Sequence, residues 1–63
     1  MTVQLYGLGE ITASEDALNA LSEAFRSESR YYEKRNWYKR ADLSFRRCWE
    51  IWNALYQKGY YDD

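Results

Sequence analysis

Apolar side chains recur at helical spacing in two stretches of this sequence, and the two series differ in direction. The first series lies in the N-terminal half and contains Leu18, Leu21, Phe25 and Tyr32. The second is spaced alternately three and four residues apart and contains Tyr38, Ala41, Phe45, Cys48, Trp52 and Leu55. Trp49 and Tyr56 widen it. Such a heptad spacing is typical of a helix that buries one stripe against another helix.

The two series predict two helices. At about 100° per residue, the second series is rotated by roughly 100° or more from the first, so an unbroken helix would present apolar side chains in two directions. A break between Arg35 and Trp37 lets the two stripes face each other in an antiparallel helical hairpin. The join contains neither Gly nor Pro. One long helix that dimerises along its length is therefore the alternative.

The predicted fold is all-α (mainly α), in a single small domain of residues 1–63. Residues 1–11 form an extended arm, residues 12–35 helix one, residues 37–58 helix two and residues 59–63 a tail, of which residues 61–63 fray. The arm is predicted because Val3 and Leu5 alternate with polar neighbours, which is strand spacing, although no second strand is evident. Thr12 and Glu15 fit a capping box at the start of helix one. Gly59 fits a left-handed cap at the end of helix two.

The short chain leaves little material for a core. A domain of this size buries only about 60% of its unfolded surface, and the single cysteine, Cys48, cannot form an internal disulfide. We expect Trp52 and Phe45, together with Phe25, to form the centre of the core, so that Trp52→Ala costs about 3 to 5 kcal/mol. We also expect self-association or a partner to stabilise the domain.

Catalytic chemistry is not indicated. The chain has no histidine, which excludes Ser-His and Cys-His nucleophile pairs, and Cys48 lies on the apolar stripe, where a thiol is normally inert. Gly7 and Gly9 precede a helix, but Thr12 occupies the third position of a phosphate-binding glycine motif, so a turn is favoured. We expect no enzyme activity, no cofactor and no metal.

The sequence predicts a cytoplasmic location. No apolar run approaches the roughly 20 residues that span a bilayer, and the N-terminus lacks the features of a signal peptide. One unpaired thiol fits a reducing compartment.

Charge is unevenly distributed along the chain. Residues 1–33 contain six acidic and two basic side chains, whereas residues 34–47 contain six basic and one acidic side chain. The net charge is -1, so a weakly acidic protein has a basic middle. In a helical hairpin this segment lies at the connection between the helices and concentrates positive potential at one end.

Aromatic residues are interleaved with these cations. Tyr, Trp and Phe make up 19% of the chain, and Trp, Tyr and Arg are the types enriched at binding hot spots. Leu43 lies between two arginines on the side of helix two opposite the apolar stripe, where it has no predicted core role. The candidate partner-binding residues are Arg35, Trp37, Tyr38, Lys39, Arg40, Leu43 and Arg47.

These features favour a protein-binding module that acts by occlusion, as an inhibitor or adaptor. Inhibitors that phages or mobile elements use against host nucleases, anti-CRISPR proteins among them, are one class of this character, although no family motif is present. The expected partner is another protein, for example a nucleic-acid-processing complex, and not a membrane; a homodimer is also considered. The alternatives are a small nucleic-acid-binding regulator, which the net charge disfavours, and a purely structural oligomerisation unit.

Overall fold

Two helices of 20 residues each make up most of the fold, and a two-stranded antiparallel sheet precedes them. A computed structural model describes residues 1–62. The strands are β1 (Thr2–Leu5) and β2 (Gly9–Thr12), and the helices are α1 (Glu15–Lys34) and α2 (Tyr38–Gln57). The predicted mainly α fold, a two-helix antiparallel hairpin with a short extended N-terminal arm, is confirmed.

The arm pairs with itself. β1 and β2 form an antiparallel β-hairpin in which Val3 lies opposite Ile11 and Leu5 opposite Gly9, so the absence of a second strand was a wrong expectation. Gly7 occupies the turn with φ of 78°, a backbone conformation that favours glycine. The N–H of Leu8 donates to the carbonyl of Leu5 (3.1 Å) and closes the turn. Val3 and Leu5 are buried, as the strand spacing predicted.

Helix α1 starts later than the proposed capping box. Ser14 is the N-cap, and its hydroxyl accepts from the backbone N–H of Ala17 (3.1 Å). Thr12 is instead the last residue of β2, where its hydroxyl pairs with that of Thr2 (2.7 Å). The capping-box assignment was therefore wrong, because strand pairing uses Thr12 and leaves the next suitable hydroxyl, Ser14, to cap the helix.

Asn36 ends α1. Its φ of 62° places it in the left-handed region, which Asn tolerates better than most residues. The N–H of Trp37 donates to the carbonyl of Tyr32 (2.9 Å), and that of Asn36 to Glu33 (3.0 Å). This pair of bonds is a Schellman motif. The break predicted between Arg35 and Trp37 is thus present without Gly or Pro.

Small side chains line the contact between the helices. The α2 row that faces α1 consists of Ala41, Ser44, Cys48, Ile51 and Leu55, of which all but Cys48 are buried. Two buried serines of α1 lie in the same contact: Ser29 donates to the carbonyl of Ala41 (2.8 Å), and Ser22 to the carbonyl of Asn19 (2.7 Å). Every buried polar side chain within residues 1–62 has a hydrogen-bond partner, so the serines are accommodated without an unsatisfied group.

The core lies where both helices meet the β-hairpin. Its buried apolar members are Val3, Leu5, Leu18, Ile51 and Leu55. The predicted centre of Trp52 and Phe45 was wrong, because both rings are about half exposed, and Phe25 is only partly buried beside the core. Small residues bring the helices close together, and the β-hairpin supplies the remaining apolar groups. Little volume is left for large rings.

The end of α2 agrees with the predicted cap. Gly59 has φ of 84°, and the N–H of Tyr60 donates to the carbonyl of Leu55 (3.0 Å), which completes a Schellman motif. The chain then folds back on α1: the hydroxyl of Tyr60 donates to Asp16 and that of Tyr61 to Asn19, each at 2.7 Å. The expected fraying from residue 61 onwards was therefore wrong for Tyr61. Asp63, the last residue of the predicted tail, lies outside the described residues.

Candidate functional site

Helix α2 has an exposed side made of aromatic rings, which we call the aromatic face. At 100° per residue, its side chains lie within an arc of about 60° around the helix axis. They are Tyr38, Phe45, Trp49, Trp52 and Tyr56. Their side chains are between 42% and 59% exposed. Three of the six residues in the predicted apolar stripe thus face solvent. The heptad spacing identified these rings, but Phe45 and Trp52 were expected at the centre of the core.

The aromatic face is ordered by ring contacts. Trp52 stacks on Tyr56 with ring centroids 5.2 Å apart and 19° between the planes, and on Tyr61 at 6.0 Å and 28°. Tyr61 is in turn held by its bond to Asn19 of α1. A shallow cleft beside Tyr38 and Phe45 reaches across to Ser29 and Glu33 of α1. Within the aromatic face, these contacts hold the rings of Trp52 and Tyr56 in position.

The second exposed feature, which we call the tip, is residues 30–40, that is, the connection between the helices with the adjoining ends of α1 and α2. Trp37 is exposed and lies between two guanidinium groups, with Arg35 5.6 Å and Arg40 5.3 Å from its ring centroid. Arg35 also lies 4.7 Å from the ring of Tyr31. These distances are within the range of cation–π contacts. Three of the predicted site residues are therefore brought together.

Charge at the tip is strongly positive. Residues 30–40 contain one carboxylate, Glu33, and five cations: Arg30, Lys34, Arg35, Lys39 and Arg40. In the part of the chain that the structure describes, ion pairs join Arg46 to Glu50 and Lys58 to Glu15, and neither involves the tip. The tip cations therefore remain available to an external anion.

Tyr38 belongs to both surfaces. It is the first residue of α2 and is 59% exposed. Its hydroxyl donates to the Oδ1 atom of Asn36 (2.8 Å), the residue that ends α1, so the ring is fixed at the point where the tip meets the aromatic face.

Two predicted site residues lie elsewhere. Arg47 is partly buried, and its Nε donates to the carbonyl of Tyr6 in the β-hairpin (3.0 Å). Leu43 is also partly buried, on the same side of α2. Glu50 accepts from the N–H of Tyr6 (2.9 Å), and Arg46 lies 4.0 Å from the centre of its ring. Arg46, Arg47 and Glu50 thus hold the β-hairpin on α2, and Arg47 is occupied by that contact.

Cys48 lies at the border between the α1-facing row and the aromatic face. Burial raises the pKa of its thiol; of two charged groups on α1 with smaller effects, Arg26 lowers that pKa and Glu23 raises it. A raised pKa lowers the thiolate fraction and hence the reactivity at neutral pH. Within residues 1–62, no cluster of three or more Cys, Asp and Glu side chains has the proximity that a metal ion requires.

Neither helix is long and apolar enough to cross a membrane, among the residues the structure describes. No protein-family model matches the chain, and comparisons with curated proteins and with solved structures found no similar protein.

Proposed function

We propose that this chain is a small, non-enzymatic protein-binding module whose tip covers part of the working surface of a partner protein. The observation that supports it most directly is the exposed indole of Trp37 between Arg35 and Arg40. Trp and Arg dominate binding hot spots, because each removes a large area from water while keeping a polar group for a directed contact. Both types are already positioned here, which lowers the ordering cost of association.

The chemistry of the tip favours an acidic partner surface. Its five cations have no ion-pair partner within residues 1–62, so an acidic patch would speed association, and a pocket for Trp37 would supply affinity. If the partner is a nucleic-acid-processing complex, the tip would dock outside the basic channel that holds the nucleic acid. Occlusion from such a site suits an inhibitor or adaptor, and an anti-defence inhibitor of a phage or mobile element is the setting we favour.

Single-stranded nucleic acid is the second candidate ligand. Cations that pair with phosphates and rings that stack on bases are the elements such binding uses, and the tip combines five cations with exposed rings of Tyr31, Trp37 and Tyr38. The overall charge of -1 and pI near 5.3 weigh against it, because dedicated nucleic-acid-binding domains are usually basic.

A photo-crosslinking amino acid at position 37 would capture the partner, whose affinity is then measured with purified proteins. Trp37→Ala should weaken binding more than tenfold, about 1.4 kcal/mol. Arg35→Glu with Arg40→Glu should slow association. Arg26→Glu reverses one cation in the middle of α1, away from the tip, so it should affect association much less than reversing either tip arginine alone.

Circular dichroism must first show that each variant folds, since Trp37 also contacts Tyr32 at 5.9 Å. If the folded tip variants bind the partner normally, the tip is a solvated end and the proposal fails. If a labelled single-stranded oligonucleotide binds in a salt-dependent way and the arginine variant abolishes that binding, the second candidate replaces the first.

A further inference from the structure

The aromatic face has no role in the proposed contact at the tip, apart from Tyr38 at its edge. Phe45, Trp49, Trp52 and Tyr56 follow one another at intervals of four, three and four residues. This is the spacing of a helical seam that packs against a second helix, yet within residues 1–62 that side of α2 is uncovered and the rings are 42% to 57% exposed. We infer that two copies of this chain pair antiparallel through their aromatic faces.

The area of the face is sufficient for a dimer. An aromatic side chain has about 150 to 250 Å² to bury, so five rings at roughly half exposure offer about 400 to 600 Å² per copy. Two copies would bury about 800 to 1,200 Å² from the rings alone, and a specific interface generally exceeds about 1,000 Å² in total. The rings alone therefore offer an area close to that threshold.

Charge determines the orientation. The tip lies at one end of the face, with five cations and one carboxylate. At the other end, contacts bring Glu15 to Lys58 (3.8 Å) and Asp16 to Tyr60 (2.7 Å). With Asp62, that end has three carboxylates against Lys58 and the ammonium group of Met1.

A parallel pair would place two strongly basic tips side by side, whereas an antiparallel pair places each tip beside the acidic end of the other copy. The same surface is thus self-complementary about a two-fold axis near the middle of α2, which is the requirement for a closed symmetric dimer. This self-complementarity favours a second copy over an unrelated protein as the occupant. The dimer would present its two tips at opposite ends.

Sedimentation equilibrium measures the association directly. The wild-type chain should be dimeric at tens of micromolar, and raising the salt concentration should weaken the dimer, because its orientation rests on charge. Trp49→Glu places a carboxylate near the middle of the face and should weaken dimerisation more than a hundredfold. Leu8→Glu is the matched control, because Leu8 is 51% exposed in the β-turn and receives the same charge away from the face. It should leave the dimer intact.

Cysteine pairing tests the orientation in a Cys48→Ser background. In the antiparallel dimer, a mixture of Tyr38→Cys and Tyr56→Cys chains should form mostly mixed disulfides on mild oxidation. A parallel dimer would instead join each variant to itself. The inference is overturned if the wild-type chain is monomeric at 100 micromolar, if Leu8→Glu dissociates it as much as Trp49→Glu, or if same-position disulfides dominate.

Discussion

Two sides of α2 carry opposite kinds of residue. The side that faces α1 consists mostly of small and aliphatic residues and is buried, whereas the aromatic face holds the largest side chains of the helix and is exposed. From transfer free energies alone, the side chains with the largest apolar area would be expected to be buried. Close packing therefore determines which side of α2 is buried, because a narrow contact between two helices accepts Ala and Ser but has no space for Trp.

The strongest test of this difference is Leu55→Ala. Leu55 is fully buried in the core beside Leu18 and Ile51, so its truncation should cost about 2 to 5 kcal/mol in the free energy of unfolding. The core of a domain this small rarely supplies more than about 3 to 5 kcal/mol, so the variant should lose most or all of its stability. Urea denaturation followed by circular dichroism measures it. A loss below about 1 kcal/mol would mean that the buried row is not what stabilises the helix pair.

A large residue introduced on the buried side should also destabilise. Ser44 is 2% exposed, and its hydroxyl donates to the Oε1 atom of Glu28 (2.7 Å). Ser44→Leu would force the helices apart, at a cost of about 1 to 3 kcal/mol. Ser44→Ala separates the effect of volume from that of the lost hydrogen bond and should cost only about 1 kcal/mol. Equal losses in the two variants would show that the small volume is unimportant.

Trp52→Ala should have a smaller effect than the sequence predicted. Because Trp52 is 42% exposed, the loss should be about 1 kcal/mol, mainly from its stacking on Tyr56 and Tyr61. The free energy of unfolding should be measured at protein concentrations low enough for the chain to be monomeric, since dimer formation would add to the apparent stability. A loss of 3 kcal/mol or more in the monomer would place Trp52 in the core after all.

The smallest expected effect is on the reactivity of Cys48, which lies at the border between the two sides of α2. Since burial raises the pKa of its thiol, the thiolate fraction at pH 8 is lower than in an unfolded chain, and iodoacetamide should react more slowly with the native protein. Reaction should accelerate as pH rises through the raised pKa, and in urea. Equal rates for native and unfolded chains would show that Cys48 is open to solvent on the aromatic side.

Part of the fold could be predicted because local signals agree with it. Val3 and Leu5 alternate with polar residues and are buried, and Gly59 has the left-handed conformation predicted for it. The rotation between the two apolar series corresponds to the break between the helices. Asn36 was missed as the end of α1, although Asn is the commonest residue after Gly at that left-handed position. A search for Asn at the join would have located the turn.

The error over the aromatic rings has a different cause. Periodicity identifies an apolar direction on a helix but cannot determine which of two neighbouring directions is buried. On α2 the rings and the small residues lie about 90° apart, and Ala41, Cys48 and Leu55 fit both series. The choice depends on the serines of α1, Ser22 and Ser29, which match small residues on α2. Buried serines are uncommon, and nothing local in the sequence distinguishes them from exposed ones.

The contact that holds Tyr6 has a consequence for the order in which the molecule assembles. Tyr6 is bonded to Arg47 and Glu50, which lie 41 and 44 positions further along the chain. The two helices are instead joined by a three-residue connection. Closing that short loop loses far less chain entropy than bringing Tyr6 to α2. The helical pair can therefore form first, with the β-hairpin added last. In amide hydrogen exchange, the N–H of Tyr6 would then exchange through a local opening that leaves the protection of Leu55 unchanged.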